Sequence, residues 1–175
     1  MTPSAATTLG VITLDGQKYL ERPHIYGIQV KVTQSYQVIA NQSFTLPGVA
    51  NFLLKGLSRV TITPRSLADT GGNVWAVDRL FRFRLTNQPG STWYFSGGLG
   101  ILHDWTYDRL CFGSGQFPYP LIPPIPLDAS ATLFYGVEDN FGYSIDTALD
   151  YPYTIHIALH GTHLIPVNDV AQPAG

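Results

Sequence analysis

The chain has 175 residues, which fits one domain long enough to bury a sizeable core. Hydrophobic residues make up 45% and charged residues only 13%, so part of so charge-poor a surface is expected to be covered by partners. A net charge of −2 argues against a general nucleic-acid binder, which needs a basic surplus to neutralise phosphates.

Residues 1–24 read as an N-terminal arm. MTPSAATT is flexible in composition and has neither the basic nor the apolar stretch of a signal peptide. LGVITL (residues 9–14) suits a short strand, and DGQKYLERP after it is turn-rich. An apolar strand here can pair with a neighbouring subunit, although terminal strands usually dock on their own sheet.

Period-2 alternation begins at Ile25. Ile28, Val30 and Val32 share one face, with Gln29, Lys31 and Thr33 on the other, the pattern of a half-buried strand. Residues 36–40 and 43–46 continue it around a turn-like Asn41-Gln42, before the Pro47-Gly48 turn. Residues 51–57, with Phe52 and Leu54, and residues 60–63 form the next strands. A loop follows over 64–73, and then the plainest strand of the chain, with Phe81, Phe83 and Leu85 on one face and Arg82, Arg84 and Thr86 on the other, polar one. NQPGS turns the chain into a short aromatic strand, TWYF, at 92–95. Residues 97–115 carry GGLG, DWTYD and GSG; residues 102–110 could hold one helical turn, but the glycines and aromatics favour an irregular loop with a short strand near 110–112.

The stretch 117–127, FPYPLIPPIPL, holds five of the thirteen prolines. Proline fixes φ and gives up its N–H, so this run is neither helix nor central strand. It is expected to be an extended, polyproline-like strap whose apolar side chains, Phe117, Leu121 and Ile125 among them, lie mostly buried. Residues 131–139 form a strand with Leu133, Tyr135 and Val137 inward, residues 140–152 a long loop, and residues 153–164 the last strand. Residues 166–175 are a polar tail. No window sustains helical periodicity, and no apolar run approaches the ~20 residues of a membrane-spanning helix. About eight strands with Gly/Pro punctuation predict a single-domain, all-β antiparallel sandwich over residues 25–165, jelly-roll-like, with the strap as a proline-rich crossover.

Candidate chemistry is sparse. His156, His160 and His163 have the spacing of a helical zinc site, but on a strand residues four apart lie about 13 Å from each other, too far to share a metal. A cupin-like metal site using His103 and one of these histidines is the residual metalloenzyme reading. Three carboxylate pairs, Asp104/Asp108, Glu138/Asp139 and Asp146/Asp150, invite comparison with glycosidases, which place two carboxyls about 5–10 Å apart in a cleft. Aspartates in aromatic, glycine-rich loops more often cap turns. Arg82 and Arg84, near Arg79, are either a docking face for a carboxylate-bearing partner or a solvated face paired across strands with Asp or Glu. Neither a nucleophile elbow, a P-loop nor a dinucleotide fingerprint is present. Cys111 is the single cysteine, so no intrachain disulfide forms, which fits synthesis in a reducing compartment. No catalytic residue, metal or cofactor is expected.

Four segments in order, NFLLKGL (51–57), FRFRLTN (81–87), the strap running into FYGVED (117–139) and YTIHIALHGTHLI (153–165), resemble small jelly-roll capsid decoration or cement proteins of tailed bacteriophages. Phe52, Leu54 and Gly56, residues 83–87, Pro118 to Pro126 and Leu159 to Ile165 carry the resemblance. The aromatic insertion 93–112 and the loop 140–152 depart from it. The resemblance implies a non-enzymatic virion protein, made in the host cytoplasm, that assembles as a homotrimer on the capsid surface. Its partners would be the major capsid protein or other virion proteins, with no membrane and no nucleic acid. Arg82, Arg84, Trp93, Trp105, Tyr107, Phe117, Leu121 and Ile125 are the expected contact residues. The alternative is a carbohydrate- or receptor-binding head that stacks sugars on Trp93, Tyr94, Trp105 and Tyr107, with Asp104 and Asp108 as acceptors.

Overall fold

A computed structural model describes residues 10–63, 81–86, 105–114, 117–139 and 151–167. Expectations placed on residues 1–9, 64–80, 87–104, 140–150 and 168–175 lie outside the described residues. Strand β1 (Val11–Leu14) and strand β2 (Gln17–Val32) form a hairpin. Its turn is Asp15-Gly16, with φ of 48° and 79°, the positive pair that a tight two-residue hairpin requires and that Asp-Gly supplies. β1 therefore pairs within its own chain, Val11 opposite Leu20 and Leu14 opposite Gln17. The expected boundary between arm and sandwich at residue 24 falls inside β2.

The chain continues through β3 (Val38–Thr45), β4 (Asn51–Ile62), β5 (Phe81–Thr86) and β6 (Thr106–Tyr107). One helical turn follows, α1 (Asp108–Cys111), and then β7 (Gly113–Ser114), β8 (Tyr119–Leu127), β9 (Thr132–Asp139) and β10 (Tyr153–Pro166). The first sheet runs β1-β2-β10-β4-β7, with β8 also on β4; the second runs β3-β9-β5-β6. Among the described residues only the short β4–β7 pairing is parallel. The protein is an all-β sandwich of two antiparallel sheets. Taken through the described strands from β2 onward, successive strands lie in different sheets except for β5 with β6 and β7 with β8.

The alternation read from the sequence is the alternation of burial. Phe81, Phe83, Leu85, Leu133 and Val137 of the second sheet face Val32, Leu54, Leu57, Ile155 and Leu159 of the first, all fully buried in one core. Each such side chain contributes about 1.5–3 kcal/mol by leaving water. The two sheets also touch through rings, Tyr26 on β2 lying 5.8 Å from Phe44 on β3. The Asn41-Gln42 turn expected in the second strand is a bulge within continuous β3, where the register shifts between Ile39 and Gln42.

The strap is an edge strand. β8 hydrogen-bonds to β4 on one side, Leu127 opposite Phe52 and Tyr119 opposite Leu57, and its register jumps between Ile125 and Pro120. An edge strand tolerates prolines because its outer amide positions need no partner. The expected burial is only partly met. Leu121 and Leu127 are buried and Ile125 packs against the core, but Phe117 is 73% exposed and Ile122 89%. The pleat turns Ile122, next to the inward Leu121, to the outside, and Phe117 precedes the strand that packs on the sandwich. The crossover between sheets comes after Leu127, through residues 128–131 into β9.

Candidate functional site

Of the expected contact residues, Arg82, Arg84, Trp105 and Tyr107 come together on the outer face of the second sheet. Arg82 lies directly across from Glu138 on β9 and from Tyr107 on β6. Its guanidinium forms an ion pair with Glu138, the cross-strand pairing that the sequence offered as one of two readings. Arg84 sits opposite Gly136 and lies 4.4 Å from the ring centre of Trp105. A Cβ on Gly136 would stand 2.9 Å from Trp105 and 3.0 Å from Arg84, so the missing side chain makes room for the stack. Tyr107 beside it is 43% exposed. Phe117, Leu121 and Ile125 belong to the other sheet, along the β8 edge. Trp93 lies outside the described residues.

The histidines divide by the pleat. His156 and His160 point outward on β10. Ser58 Oγ and His160 Nε2 share a hydrogen bond of 2.7 Å, the contact that joins a serine nucleophile to its base. Ser58 is only 2% exposed, however, and no carboxylate among the described residues orients the ring. The pair ties β4 to β10, and burial holds His160 below the usual histidine range. A register shift between His160 and Gly161 turns His163 inward, where its Nε2 shares a 2.7 Å hydrogen bond with the Tyr26 hydroxyl. Among the described residues no three His, Cys, Asp or Glu side chains group as metal ligands. His103 lies outside them.

The carboxylates are equally committed. Asp108 has no exposed surface and is ion-paired with Arg59, whose guanidinium also lies 5.2 Å from the ring centre of Phe81. It cannot accept from a sugar hydroxyl, which corrects its expected part in a glycan site. Glu138 and Asp139 point to opposite faces, so they are no acid–base pair. Asp139 accepts from the hydroxyls of Tyr153 at 2.6 Å and Tyr151 at 2.9 Å and from the Tyr36 backbone N–H at 3.0 Å. Cys111 is buried, and desolvation first, then Asp108, pushes its thiol up to about 12 despite Arg59. Asp104, Asp146 and Asp150 lie outside the described residues.

Two features escaped the sequence reading. One is the inward use of charge at Arg59, Asp108 and Asp139. For Asp139 the signal was its place on the inward side of the alternation of Leu133, Tyr135 and Val137, whereas Arg59 and Asp108 fall outside any alternating run read from the sequence. The other is Arg22, which the sequence places in an arm and the fold places in a cleft beside His163. Set against known proteins, the chain matches no family model, no curated protein and no solved structure.

Proposed function

We propose that this protein is a structural subunit of a virion, a jelly-roll cement or decoration protein that stabilises the capsid of a tailed bacteriophage by contacts between subunits. The observation that carries the reading is the strand order. With the short β1 and β7 set aside, the described strands β2-β10-β4-β8 and β3-β9-β5-β6 form the two sheets, an order that supports a jelly roll, an architecture found in viral capsid proteins, lectins and cupins. The β8 edge supports an assembling role, because Phe117, Tyr119 and Ile122 are 73%, 44% and 89% exposed on a chain with little charge. Prolines at 120, 123, 124 and 126 keep that edge from adding another strand, so association there would proceed by side-chain burial. On this reading the protein has no turnover, forms homotrimers and binds the major capsid protein on the outside of the shell.

Mass measured in solution, together with co-sedimentation with capsid shells, tests the proposal. The expected result is a trimer that pellets with shells. A stable monomer without affinity for them would remove it.

The glycan-binding alternative keeps one specific support, the Trp105–Tyr107 platform over Arg84. Replacement of Trp105 by Ala would then abolish glycan-array binding while leaving assembly intact.

A further inference from the structure

We propose that the cleft at the β1–β2 hairpin end of the sandwich binds a small ligand that carries an oxyanion, gripped by Arg22. The long strands β2 and β10 meet the loop before β4 and the turn before β9 around a cavity of about 440 Å³. That volume falls within the range of small-molecule sites. Arg22, Gln17, Asn51 and His163 line it with nitrogen, and Val49 and Ile165 give it apolar wall.

The polar lining is rich in donors without carboxylate partners. Arg22 is exposed and forms no ion pair among the described residues. Its neighbour Glu21 is engaged elsewhere, accepting from Lys55 Nζ at 2.5 Å and Thr162 Oγ1 at 3.1 Å. Asn51 spends its side-chain oxygen on the Ala129 N–H at 2.9 Å, which leaves the amide nitrogen for another partner. Gln17 likewise accepts from the Tyr19 hydroxyl at 3.2 Å through its oxygen.

Behind Arg22 two imidazoles stack, His24 and His163, with ring centres 4.4 Å apart. β2 presents Arg22, His24 and Tyr26 to His163, β4 presents Phe52 and Asn51, and the turn before β9 presents Ala129. The charged groups acting on the ring are thus cationic or neutral, and burial first, then His24 and Arg22, lowers its pKa. An arginine fork facing a donor-lined cleft is built for a carboxylate or phosphate, which it binds with two parallel hydrogen bonds. The apolar wall and the volume suit an anion with a body, of the size of an acidic monosaccharide.

Histidine-ring NMR of the full chain at constant pH tests this with three probes: glucuronate, glucose and inorganic phosphate. Glucuronate is expected to shift the His24 and His163 signals saturably and to raise the pKa of His163, and phosphate to do the same more weakly, while glucose has no effect. Arg22→Met, at an exposed position, is expected to keep the native melting temperature and to weaken glucuronate binding about 10-fold or more. The proposal is overturned by no saturable shift with either anion, by a response to phosphate alone, by an equal response to glucose, or by unchanged affinity in Arg22→Met. None of these results bears on capsid binding, which is read by co-sedimentation.

Discussion

Asp139 shows how a single carboxylate joins two sheets. It ends β9 in the second sheet and receives Tyr153 from the first, with Tyr151 and the Tyr36 amide completing its shell. A carboxyl group is tolerated in the interior only when its polar atoms are hydrogen-bonded, and here three donors meet it. Asp139→Ala is expected to cost about 3–5 kcal/mol, because it strands those donors, and Tyr153→Phe about 1–2 kcal/mol; urea denaturation measures both. Histidine sets the acid limit. His160 and His163 are both held below the usual range, so protonation is harder in the folded chain than in the unfolded one. The stability that their neutral rings contribute is complete above the unfolded value of about 6.5 and is lost as pH falls from there through the folded values. Melting temperatures are expected to drop between about pH 7 and pH 5, with a shallower slope in the His160→Asn/His163→Gln variant. Cys111, with its thiol pushed up to about 12, is expected to resist thiol reagents until the protein unfolds.

At the scale of elements, the legible strands were those whose burial follows strict alternation. β5 and β9 bury the alternate residues that their sequences point inward, because each has one face on the core and one outside. Thr86, however, expected on the outer face of β5, is fully buried, and the register shift in β10 buries His163, expected half-exposed. The first half of β2, residues 17–24, was read as arm because QKYLERPH does not alternate. It is a strand through pairing with β1 on one side and β10 on the other, and partners so distant in sequence leave no local signal. The same limit hid the site: the Asn51, Ala129 and His163 that surround Arg22 are brought together by topology. In the strap, prolines exclude helix and central strand, but nothing local in the sequence shows that it pairs with β4 as a strand, with the crossover coming after Leu127, or which of its side chains face outward. What fixes β8 in place is glycine on its neighbours. A Cβ on Gly113 would collide with the Phe117 carbonyl oxygen and the Tyr119 nitrogen, backbone atoms that cannot swing aside. Gly113→Ala is therefore expected to destabilise by about 2 kcal/mol or more, seen as a lower urea midpoint.

On the scale of the whole molecule, the apolar excess divides into a core that explains stability and an edge that does not. Ile122 touches little of its own chain at 89% exposure, so its replacement by Lys is expected to leave the urea midpoint within about 0.5 kcal/mol. A subunit held to its neighbours by this edge would respond differently, since a buried lysine without a partner is expelled from an apolar interface. Sedimentation velocity of Ile122→Lys, alone and with Phe117→Asp, separates the two roles. The expected outcome is an intact fold with association weakened about 10-fold or more by the single change, and a monomer with the double one. Val11 is the necessary control. It is 59% exposed on the opposite edge strand, β1, which carries no proline and can pair with another strand through its backbone. Val11→Lys changes the side chain but leaves those backbone groups free. If it dissociates the assembly while Ile122→Lys does not, the subunits meet along β1, and the exposed prolines of β8 protect an edge without joining a partner.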